Sequence, residues 1–169
     1  MNGAHLHLLV NHFPIVGTIL ATLVLIAGFL FKNSSVKLTA LGLFIFSALS
    51  SLAAYYTGGL AEEVVKSLAG VSDALIHRHE EFAEFFHITT LILGILALIT
   101  FILHHRRSPY VRYFFIVIFI VAALDIYAAI QTGNSGGKIR HTEIRQDSGD
   151  NTLNLQPKGE KNKVDYDDD

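Results

Sequence analysis

Cysteine is absent, and the single methionine is Met1. Those two absences exclude disulfides, iron–sulfur clusters, thiolate metal sites, covalently attached c-type haem and thiol nucleophiles. Any metal chemistry therefore falls to histidine, carboxylate or tyrosine. Charge is also scarce: 17% of the 169 residues are charged and 51% are hydrophobic, whereas soluble chains carry about a quarter charged residues. A single-domain membrane protein is the expectation. The 13 Lys+Arg against 15 Asp+Glu leave no basic excess for a nucleic-acid interface, so nucleic acid is set aside as a partner. No serine nucleophile elbow and no His-Glu-x-x-His pair occurs, which removes support for a hydrolase, and neither glycine-rich run follows a strand as a nucleotide fingerprint requires.

What the chain does contain is four apolar runs, 13–31, 38–56, 85–103 and 111–130. A hydrocarbon layer of about 30 Å takes roughly 20 helical residues at about 1.5 Å each, so all four have spanning length. The expected fold is all-α, an integral membrane up-down-up-down four-helix bundle occupying residues 1–141, followed by a polar, disordered tail over 142–169. The first run lacks a basic leader and a small-residue cleavage motif, which reads as a permanent helix rather than a signal peptide. Two tight loops carry Lys32, Lys37, Arg106 and Arg107, with Arg112 just beyond, while the other face spreads its cations over longer segments. The positive-inside rule then puts the tight loops in the cytoplasm and both termini outside a bacterial inner membrane.

Residues 57–84 read as a long outward-facing loop. Leu60, Val64, Val65 and Leu68 recur at helical spacing opposite Glu62, Glu63 and Lys66, the pattern of a short amphipathic helix lying on the membrane surface. Gly70 breaks it, and Ser72 with Asp73 offers an N-cap for a third helix that starts well before Phe85. The glycine pairs Gly58-Gly59 and Gly136-Gly137 read as turns or caps closing the second and fourth helices.

Nine histidines are the unusual surplus, and seven fall at one membrane face: His5, His7, His12, His77, His79, His87 and His141. His12, two residues before Pro14, and His87 lie at comparable depth on helices that can face one another. That is the arrangement of a bis-imidazole haem b site, with Gly17 and Gly94 offering room for a macrocycle. His7, His79 and His141 are the reserve ligands. Asp125, about 9 Å inside the fourth span, is a costly carboxylate unless paired, either orienting a ligating histidine or bonded to Tyr127, Tyr55 or a serine. The competing reading places zinc, copper or iron directly on His7, His79, His141 and Glu62 or Glu80. A third makes the bundle a cofactor-free accessory subunit of a membrane complex.

The stretch His7 to Ile15, with His7, His12, Phe13, Pro14 and Ile15, resembles the opening of the bacterial four-helix membrane family catalogued as domain of unknown function 2231. Gly136, Gly137 and His141 resemble the end of its fourth helix, and the resemblance covers roughly residues 5–144. Leu8 stands where the family usually has proline. Related members fused to Rieske-type or cytochrome c domains imply a place near periplasmic electron transfer. The expectation is thus a haem b protein in the lipid bilayer that relays electrons to a periplasmic or membrane partner, an electron carrier rather than a stand-alone enzyme.

Overall fold

A computed structural model describes residues 2–68 and 70–145. Five α-helices make up the described chain: α1 (Gly3–Val10), α2 (His12–Leu30), α3 (Ser34–Lys66), α4 (Asp73–His105) and α5 (Val111–Arg140), with a short 3-10 turn at Thr142–Ile144 and no strand among the described residues. α1 and α2 form one nearly continuous rod interrupted at Asn11, so four rods of 28 to 33 residues are long and apolar enough to cross a membrane. Only part of the proposed tail is described; residues 146–169 lie outside the described residues.

Around the bundle the order is α2, α3, α4, α5, and α5 closes back on α2, with α1 lying along α3. Each rod contributes to one core, through Ala21 and Leu25 (α2), Ala40, Leu41 and Phe44 (α3), Leu93 and Ala97 (α4), and Phe115, Ile118 and Ala122 (α5). Outward faces carry exposed Leu23, Ile95, Ile116 and Ile120, the reverse of a soluble bundle and what lipid requires. Small residues bring the rods together, as in other membrane bundles. A Cβ at Gly17 would collide with Ser47 Oγ, and one at Gly94 with Ala48 Cβ. These two glycines therefore serve helix contact, and the space for a macrocycle expected beside them is filled.

Two further expectations are corrected. Residues 60–66 are not a separate surface helix; they are the last turns of α3, which runs straight through Gly58-Gly59. The stretch is helical as its periodicity suggests, but of the expected face Leu60 and Leu68 are exposed and Val64 and Val65 half-buried, while Ala61 is buried and Lys66 Nζ lies 2.5 Å from Glu62 Oε1 one turn away. Likewise α5 continues through Gly133, Gly136 and Gly137 to Arg140. The loop over 57–84 shrinks to a short connection after Lys66, and Ser72 caps α4 by accepting from the Leu75 amide, as its sequence suggests.

The two helical hairpins repeat one another. Shifting by 72 positions, the separation of His7 from His79, carries the whole buried set of α2 (Pro14, Gly17, Thr18, Ala21, Leu25, Gly28) onto Phe86, Thr89, Thr90, Leu93, Ala97 and Thr100, all buried in α4. Shifting by 78 carries Ala40, Phe44, Ser47 and Ser51 of α3 onto Ile118, Ala122, Asp125 and Ala129 of α5, again all buried. The turns match as well. Lys32 and Arg107 hold φ of 50° and 54°, and each hairpin closes with the same backbone bond, Asn33 N–H to Gly28 O at 3.0 Å in the first and Ser108 N–H to Leu103 O at 3.0 Å in the second.

Candidate functional site

All four rods continue past the apolar runs at the end opposite the tight turns, for about three turns each, and three imidazoles are anchored there or at the boundary. His7 on α1 has its Nδ1 3.0 Å from the Ala54 carbonyl of α3. A carbonyl only accepts, so Nδ1 carries the proton and Nε2 keeps its lone pair. His79 on α4 places Nδ1 3.1 Å from Ser135 Oγ of α5, and that hydroxyl donates its own proton to the Thr132 carbonyl at 3.0 Å. Here too Nδ1 donates and Nε2 is left unprotonated. His87 repeats the pattern on Ser51 of α3, at 3.1 Å, with Ser51 donating to Ala48 O at 2.8 Å.

His7 and His79 occupy equivalent places in the two hairpins. Gly58 lies beside the His7 ring and Gly136 beside the His79 ring, 78 positions apart. Thr57 and Ser135, the residues before those glycines, reach the two Nδ1 atoms at 3.4 and 3.1 Å. The glycines taken for turns are thus the floor on which the imidazoles lie. Both rings lie outside the apolar runs, and burial holds both below the usual histidine range. For His79 the nearby His7 adds to that depression, as His12 does for His7. Asn11, one turn after His7 on the same face, buries its side-chain oxygen with no hydrogen-bond partner. An unsatisfied buried acceptor costs about 1–3 kcal/mol, so a polar group is wanted there.

The remaining sequence candidates are placed differently. His12 is exposed at the start of α2. His87 lies about 12 Å deeper along α4 than His79 and stacks on Tyr55, with ring centroids 4.5 Å apart and planes at 9°. His141 follows the end of α5, exposed and 2.8 Å from Glu143. Glu62 and Glu80 interact with each other across α3 and α4, and burial first, then Glu62, raises the Glu80 carboxyl above its ordinary range. Together with Lys66 and Asp73 they line an open groove rather than an enclosed site.

Asp125 is fully buried, but its partners are neither histidine nor the tyrosines or serine expected. Thr18 of α2 reaches Oδ2 at 3.0 Å, and Thr89 and Thr90 of α4 reach Oδ1 at 2.6 and 2.9 Å. The carboxyl ties three rods together in mid-bundle and orients no imidazole. Its partners were overlooked because threonines in an apolar run read as filler, although Thr18 and Thr90 are repeat mates.

Among the described residues no group of three or more His, Cys, Asp or Glu is close enough to hold a metal ion. Imidazoles with Nδ1 fixed and Nε2 free, as in His7, His79 and His87, are the preparation seen in ligating histidines, whose second nitrogen is held by a carbonyl or similar acceptor. No protein-family model matches the chain, and comparison with curated proteins and with solved structures finds no match.

Proposed function

We propose that the protein is a multi-pass membrane protein that holds a haem b at the polar end of its bundle and relays electrons to or from a partner at that face, taken as periplasmic. The observation that carries the reading is the paired anchoring of His7 and His79, each with Nδ1–H donated to the neighbouring helix and Nε2 left free. His7 and His79 would hold the haem in preference to His12 and His87, because His12 is exposed and the glycines below are occupied by helix contact. Two imidazoles complete the protein's share of haem ligation, whereas a bare zinc or copper ion asks for three or four protein ligands. When bound, the iron supplies one-electron chemistry. The chain's own residues fix the ring tautomers, keep the rings uncharged and supply one unsatisfied polar contact at Asn11. The resemblance of His7–Ile15 to a family with relatives fused to redox domains points the same way.

The test is haem reconstitution of the detergent-purified protein. A Soret band with the α and β bands of a six-coordinate, low-spin iron supports the reading, and its loss in both His7→Ala and His79→Ala supports the ligands. No Soret band at all overturns it; stoichiometric zinc or copper by elemental analysis would replace it with a direct metal site.

A further inference from the structure

The tight-turn end of the bundle has a charge imbalance that the rest of the chain does not share. Lys32, Lys37, Arg106, Arg107 and Arg112 gather there, yet the sequence has no Asp or Glu before Glu62 and none between Glu84 and Asp125. Among the described residues these cations have no carboxylate at their own end, and the contacts Lys66–Glu62 and His141–Glu143 are at the other. That end is net positive among the described residues, which suits it to an anion from outside the chain.

Between the two hairpin turns lies an open groove. Phe29 and Lys37 form one side, and His104, Ser108, Arg112 and Phe115 the other. Aromatic rings hold its cations in place of carboxylates. Lys37 Nζ sits 4.1 Å above the Phe29 ring, and Arg112 donates to Tyr113 Oη at 2.6 Å with its guanidinium 4.6 Å over that ring. Both retain N–H groups for a further acceptor. Phe29 packs edge-on against Phe115, centroids 5.2 Å apart, which gives the groove an apolar wall. Lys37 immediately precedes the apolar run at Leu38, and Arg112 is the second residue of the run at Val111, so the groove lies where hydrocarbon gives way to headgroups. Lys32 and Arg107 hold the same place in the two turns, and Lys37 and Arg112 each lie in the first turn of the helix that follows.

We propose that this groove binds the phosphate headgroup of an anionic phospholipid, with Lys37 and Arg112 on the phosphate and the Phe29–Phe115 wall receiving the first acyl carbons. Basic grooves between spanning helices recognise such headgroups, and each cation near the surface contributes about 1 kcal/mol, or about five-fold in affinity. The proposal needs the membrane-spanning reading and is independent of any cofactor.

Native mass spectrometry of the detergent-purified full chain, titrated with phosphatidylglycerol or phosphatidylcholine, reads the preference directly. The expected result is retention of phosphatidylglycerol over phosphatidylcholine, a preference reduced about five-fold by Lys37→Gln or Arg112→Gln and about 25-fold by both. Arg106→Gln, outside the groove, keeps most of it. Equal retention of the two lipids by the unmodified protein overturns the proposal, and so does an undiminished preference in the double variant. Should the double variant fail to fold, competition in the unmodified protein decides: phosphatidylglycerol that inorganic phosphate displaces at equal concentration marks a free-anion site instead, and phosphatidylglycerol that resists displacement supports a lipid site.

Discussion

The hairpins α2–α3 and α4–α5 share one burial pattern and one turn, yet they use the same central position differently. In the first, Gly17 lies against Ser47, and the Ser47 hydroxyl is spent on its own helix, on the Leu43 carbonyl at 3.0 Å. In the second, the equivalent residues are Thr89 and Asp125, joined at 2.6 Å and extended to Thr90 and Thr18. Close backbone approach needs no polar partner; a carboxyl in a bilayer needs several. One architecture thus accepts either solution, and the polar one links the two hairpins through Thr18.

The largest expected effect breaks that contrast. Asp125→Ala removes three cross-helix bonds worth about 0.6 kcal/mol each in membrane proteins, so a loss of about 2 kcal/mol is expected, while Ser47→Ala stays within about 0.5 kcal/mol. Reversible unfolding in mixed micelles checks both; equal costs would remove the distinction between the hairpins. Next come the glycines beneath the imidazoles. A Cβ at Gly136 would stand 3.0 Å from His79 Cε1, so the ring would have to give by a few tenths of an ångström, whereas one at Gly58 would stand an ordinary 3.4 Å from His7. Gly136→Ala is expected to cost about 1–2 kcal/mol and to shift the His79 ring resonances, with Gly58→Ala nearly silent. A smaller effect follows for Gly17→Ala, whose clash is with Ser47 Oγ alone. About 1 kcal/mol should be lost and then regained when Ser47→Ala is added, a coupling that a double-mutant cycle measures.

The smallest is a pH dependence. His79 is held below its ordinary value of 6.5 by burial and by His7, so the unfolded chain binds this proton more readily than the native one. Stability is therefore constant above about pH 7 and falls as pH drops through 6.5 toward the native value, below which no more is lost. Stability curves between pH 5 and 8 should show this slope for the unmodified protein and less of it for His79→Gln.

How much of this could be read from the sequence depends on which physical signal each feature leaves. The four spans and the Ser72 cap were legible because apolar length and N-cap chemistry are local properties. Gly58-Gly59 and Gly136-Gly137 were misread because glycine at a helix exit is the common case, and only the partner ring shows why a helix would tolerate it. The amphipathic stretch at 60–66 reported a helix but neither its continuity with the span before it nor its buried residue, Ala61, since periodicity does not say what an element packs against. His7 and His79 ranked as reserves because depth was judged by distance from the apolar run. The pairing of Thr18 with Thr90 and of His7 with His79 at one spacing was present in the chain all along, and a search for repeats at that spacing would have raised both.

Absorbance of haem-reconstituted protein across the visible range, for the unmodified chain and for His7→Ala, His79→Ala and His12→Ala, tests the central claim most directly. The account predicts a low-spin bis-imidazole spectrum that both His7→Ala and His79→Ala abolish and His12→Ala preserves. A spectrum that survives loss of His79, or one that depends on His12, would contradict it.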